Sequence, residues 1–197
     1  MEAKANSTTA RQACRIQNCC SRGATGVTGA DIVRISRTLV VEPWHFTQAA
    51  PAAADDPTGV IVDDGRRRVT LKLANAAQGC VFLLRTAGGA GCCGLGDLAP
   101  VSCRVFPEDP TTADAAARHS PDCQCREWTD EETEHLGRSL AGWAADEAHW
   151  HETVARWNRQ FDTSPGAAVG IEDFQRYLLE AHAAREAGTD WPEDVRA

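Results

Sequence analysis

Cysteine is the residue type of this chain best suited to chemistry. Cys14, Cys19, Cys20, Cys80, Cys92, Cys93, Cys103, Cys123 and Cys125 stand against a single Met and a single Tyr. A disulfide framework needs an oxidising compartment and an even count. The opening MEAKANSTTARQAC carries no apolar export segment, and nine is odd. Thiols used as small buried hydrophobes would be scattered. These instead cluster in Gly-, Pro- and Asp-rich stretches and stop at Cys125. The pattern favours thiolate ligation of a metal in a reducing cytosol.

Spacing narrows the kind of site. A single tetrahedral zinc ion usually takes two cysteines from a knuckle with two to four residues between them. Here two pairs are vicinal, Cys19-Cys20 and Cys92-Cys93. Neighbouring side chains of extended chain point to opposite faces, so one ion cannot easily take both. Two neighbouring sites or a polynuclear cluster fit better. No run has ferredoxin spacing. Soft thiolates suit zinc, an iron–sulfur cluster or copper(I), and the choice between zinc and an iron–sulfur cluster stays open. His119 lies four residues before Cys123 and is a further candidate ligand. His149 and His151 point to different faces of a helix, while His45, His135 and His182 have no company in the sequence.

These residues need elements to position them. Residues 1–13 read as a disordered N-terminus. Thr28 with Asp31 three positions on predicts a capped helix, with Ile32, Ile35 and Leu39 on one face and a break at Pro43 before a short second helix. AAPAAADDPTG reads as a loop. Val60–Val62, the Asp64-Gly65 turn and the alternation through Val69, Leu71 and Leu73 predict a β-hairpin. Arg66-Arg67-Arg68 beside that turn reads as a solvated patch rather than an anion site, since no phosphate-cradling Gly loop accompanies it. From Gly79 to Arg126 there is little apolar periodicity, and metal bonds would supply the order that packing does not.

After Cys125 the character changes. Thr129 and Glu132 predict a capping box on a long helix carrying Leu136, Leu140, Trp143, Trp150, Val154, Trp157 and Phe161. Ser164-Pro165-Gly166 breaks it, and a second helix follows with Phe174, Tyr177, Leu178 and Ala181 on one face. The Trp stripe reads as a core seam, with a protein-partner surface as the alternative. Residues 1–126 hold 14 Lys+Arg and 12 Asp+Glu, whereas residues 127–197 hold 6 and 16. The fold expected is mainly α with a small β-hairpin. It divides into a loop-rich, metal-stapled cysteine domain over 14–126 and an acidic C-terminal helical hairpin over 127–197. The net charge of −8 argues against a nucleic-acid binder, and no apolar run approaches the roughly 18 residues of a membrane span. Arginine-rich, lysine-poor usage, with only Lys4 and Lys72, reads as the mark of a GC-rich bacterial genome.

Several steps of the chain resemble the YkgJ-type cysteine-cluster family, whose members are taken to chelate zinc or iron and whose relatives include flagellin lysine N-methylases. The steps are the Cys19-Cys20 pair, Asp31-Ile32 opening a helix, and Cys80-Val81-Phe82-Leu83. The last is Cys93 followed by Cys103-Arg104-Val105-Phe106-Pro107, with Pro100 three residues before Cys103. The likeness covers about residues 14–125. It implies Cys14, Cys19, Cys20, Cys80, Cys93 and Cys103 as ligands, Cys123 and Cys125 next, and Cys92 last. Arg104 beside a ligating thiolate would offset its negative charge and donate to sulfur, or else hold a carboxylate such as Asp31. The function expected is a cytoplasmic thiolate metal protein. Two alternatives stand beside it. One is a metal-dependent modification enzyme, methylase-like or redox, with Asp97 or His119 as a base. The other is a zinc-stapled interaction module.

Overall fold

The Thr28 capping box forms as its spacing predicts. In the computed structural model, Thr28 Oγ1 accepts from the Asp31 amide at 3.3 Å, and Asp31 Oδ2 accepts from the Thr28 amide at 3.2 Å. This opens helix α1, Gly29–Leu39. The structure describes residues 20, 26–63, 67–85, 91–105, 130–163 and 169–192. The predicted N-terminal tail and the Thr129 cap lie outside them, as do the Asp64-Gly65 turn and the Ser164–Gly166 break. Among the described residues the fold is mixed, with helices and three small antiparallel sheets. The chain divides into two compact units, residues 1–27 with 73–144 and residues 28–72 with 145–197.

The second unit is held by apolar packing. α1 buries Ile32, Val33, Ile35 and Ser36. Leu39, expected on the same face, is exposed, because the helix stops there and Val40 takes the left-handed cap conformation at φ 53°. The predicted short second helix is one 3-10 turn, Pro43–His45, with proline at its start. The predicted hairpin is present: β2 (Val60–Val62) pairs antiparallel with β3 (Arg67–Leu73), with Val60 opposite Val69. β3 buries Val69, Leu71 and Leu73 on alternate positions, the period of a half-buried strand. Part of the expected loop is instead strand β1, Thr47–Pro51, which completes a sheet of order β1-β3-β2.

Two helices close this unit. α3 runs Asp130–Thr163 and α4 runs Ile171–Ala187. Trp150, Val154 and Trp157 of α3 are buried with Phe174, Tyr177, Leu178 and Ala181 of α4. The Trp157 ring meets Phe174 at 5.4 Å edge-on and Tyr177 at 5.5 Å. These separations are favourable aromatic geometry, so for Trp150 and Trp157 the stripe is a core seam. At Gly29 the α1 backbone approaches so closely that a Cβ would stand 2.8 Å from Leu178 Cδ1 and from Trp150 Cε3. The helix also completes the sheet. Asn158 Oδ1 accepts from the Ile61 amide and its Nδ2 donates to the Gly59 carbonyl, both at 2.8 Å, while Trp157 Nε1 donates to the Ile61 carbonyl at 2.9 Å. Arg67 pairs with Asp63 at 2.8 Å with both side chains more than half exposed, in keeping with a solvated patch.

Candidate metal centre

In the other unit the stretch expected to lack regular elements forms two short hairpins and a helical turn. β4 (Asn75–Ala76) pairs with β5 (Gly79–Cys80), setting Asn75 opposite Cys80. Gly79 carries φ 116°, open in practice only to glycine, and this bend delivers Cys80 to its place. Next, β6 (Leu83–Arg85) pairs with β7 (Gly91–Cys93), with Leu83 opposite Cys93 and Leu84 opposite Cys92. The Gly94 amide donates to the Phe82 carbonyl at 2.8 Å and extends the β6–β7 pairing by one step. A 3-10 turn, Gly96–Leu98, and Pro100 lead into α2, Val101–Val105, which carries Cys103. α2 is anchored by Val101, which packs on Leu140 and Trp143, and by the Ser102 hydroxyl, which donates to the Gly26 carbonyl at 2.7 Å.

This scaffold places two of the expected ligands, Cys93 and Cys103, where their charge is felt by a third, Cys80. Burial pushes the Cys80 thiol above its ordinary pKa, the Phe82 amide bonded to its sulfur pulls it back, and Cys103 and Cys93 push it up again by like-charge repulsion. Cys80 is therefore within electrostatic reach of both other sulfurs. A cation among them would reverse burial and repulsion alike, since each disfavours the bare thiolate. Cys92, one residue from Cys93 along a strand, projects to the opposite face and is exposed. The vicinal pair is thus divided between two faces, as the alternation of extended chain requires.

None of the five described cysteines, Cys20, Cys80, Cys92, Cys93 and Cys103, is in a disulfide. Cys20 is buried, Cys80 and Cys103 are half-buried, and Cys93 is exposed. Donor chemistry suits a soft metal. However, among the described residues no group of three or more Cys, His, Asp or Glu side chains is placed so that it could hold a metal ion. Cys14, Cys19, Cys123, Cys125 and His119 lie outside the described residues. Asp97, named as a possible base, is exposed on the 3-10 turn. Asp31 serves the α1 cap and bonds Arg34 at 2.7 Å. The Arg104 amide donates to the Pro100 carbonyl, placing its side chain next to Cys103 in sequence on α2.

One grouping has no counterpart in the sequence reading. His149 and His182, each without a neighbouring ligand along the chain, meet ring to ring at 4.6 Å in the other unit. Nothing local announces this, because the contact joins α3 to α4. No family model, no curated protein and no solved structure matches this chain. Among the described residues no helix is long and apolar enough to cross a membrane.

Proposed function

We propose that this protein is a cytoplasmic thiolate metal-binding protein of the YkgJ type, holding zinc or an iron–sulfur cluster in the cysteine-bearing unit. Cys80, Cys93 and Cys103 are its described ligands, and Cys14, Cys19, Cys20, Cys123 and Cys125 supply the remainder. What supports this reading is that Cys80 lies within electrostatic reach of both Cys93 and Cys103, on three separate elements and with none of the three in a disulfide. Chain segments with so few buried apolar side chains gain order when a cation draws their sulfurs into one shell, because binding free energy is then folding free energy. Described cysteines outside any disulfide also suit a reducing compartment. Arg104, following Cys103, would balance the charge of a thiolate-rich centre.

Metal analysis and an optical spectrum of protein purified without oxygen test the proposal. Iron with sulfide and a brown colour select the cluster, and a colourless protein with stoichiometric zinc selects zinc. Cys80→Ser and Cys103→Ser are each expected to lower metal affinity by at least about 100-fold, more than loss of an outer partner would. Protein that carries no metal, and whose cysteine-bearing unit keeps its structure in chelator, overturns the reading.

A further inference from the structure

The histidine pair of the apolar unit sits in a layered stack. His149 and His182 cross nearly edge to face, at 82°, and are 8% and 5% exposed. Neither Nε2 has a hydrogen-bond partner. His182 Nε2 faces the α1 backbone, where a Cβ on Gly29 would stand 3.0 Å away. The Trp191 ring, in the segment that follows α4, lies 5.1 Å from the His149 ring at 36°. Arg156 covers the Trp191 ring at 4.4 Å. The order is Arg156, Trp191, His149, His182.

Among the described residues, most charges around this stack are already engaged. From α3, Glu152 accepts from Arg156 at 2.8 Å, and Asp146 stands 3.7 Å from Arg185 of α4. From α4, Glu186 accepts from Arg37 of α1 at 2.6 Å. Asp190 precedes Trp191 on the exposed chain. A proton delivered to either Nε2 would therefore create a buried N–H with no acceptor among the described residues, between rings and beside cations. Leaving such a donor unmet costs its full desolvation.

We propose that the His149–His182 pair is an acid-released latch, whose protonation breaks the stack and frees the Trp191 segment from α3. Burial lowers both imidazoles, and His182, pressed further by His149, Arg185 and Arg37 against the opposing pull of Glu186, is pushed down to about 4. In the released state the rings bind protons at the ordinary value of about 6.5. The released state thus holds more protons between those limits. Closure is fully supported above about pH 6.5 and is lost progressively as pH falls toward 4.

The test is a titration of the full chain from pH 7.5 to 4, with imidazole NMR and tryptophan fluorescence read together, Trp191→Phe identifying the Trp191 signal. The expected result is loss of the Trp191 signal in a step below pH 6.5 that coincides with ring protonation. That step should be absent from His149→Gln and His182→Gln, whose helicity at pH 7.5 shows whether they fold. The wild-type titration decides the matter by itself if they do not. Rings that take protons near 6.5 while the Trp191 signal stays constant overturn the latch, as does a step that survives in both variants.

Discussion

The two units solve the same problem by different means. In residues 28–72 with 145–197, aromatic and branched side chains interlock: Trp150, Trp157, Phe174, Tyr177, Ile32, Ile35, Leu71 and Leu178 are all essentially fully buried. In residues 1–27 with 73–144, the described buried apolar residues are Leu73 at the end of β3, with Cys20, Val27, Leu95, Ala99 and Val101, none of them aromatic. Its strands are two or three residues long. Small side chains and short strands bury little apolar area, at about 25 cal/mol per Å². That unit is also the one that holds the described cysteines, so the proposed metal would add order where the described packing is slightest. The comparison separates a half whose described core is aromatic and branched from a half whose described core is smaller and which carries all the described cysteines.

The largest expected effect attacks the packed side of this contrast. Trp157→Ala removes a fully buried ring and its bond to Ile61, and should cost about 4 kcal/mol in urea denaturation followed by helix content. Metal removal should do the opposite. Chelator is expected to raise hydrogen exchange in residues 73–105 while leaving α4 protected, and equal loss in both units would erase the distinction. Gly29→Ala is next, at about 2 kcal/mol, because the new methyl meets Leu178 and Trp150 inside a packed core. A thermal melt with no shift would mean that α1 can move aside at little cost. The smallest effect has the reverse sign. Val40 is 91% exposed at φ 53°, a conformation that a β-branched residue tolerates poorly, so Val40→Gly should stabilise by about 1 kcal/mol.

What could be read from the sequence follows from range. The Thr28–Asp31 box, the Val60–Leu73 hairpin and the apolar face of α4 rest on partners within a few residues, and each formed as its spacing implied. β1 escaped notice because TQAAP has neither alternation nor β-branched bulk, and only its neighbour β3 makes it a strand. The hairpins around Cys80 and Cys93 are too short for periodicity to register. Leu39 fitted the helical face by count, yet the helix ended before that face could be used. For the thiols, residue type suggested the chemistry and the resemblance ranked Cys93 above Cys92, while the nearness of Cys93 to Cys80 depends on strand pairing that spacing does not announce. The His149–His182 contact was invisible for the same reason, since two ordinary helical positions become a pair only through packing.

The attachment of Asn158 and Trp157 to Ile61 has a consequence beyond stability. A strand at the border of a sheet offers unsatisfied amides and carbonyls to any passing extended chain, the usual start of fibrils and runaway oligomers. Here that border is occupied by side chains of a helix from the same molecule, so β2 has nothing left to offer a second copy at Ile61. Removing the carboxamide would convert a closed rim into an adhesive one, and the first sign of it would be turbidity rather than a lower melting point.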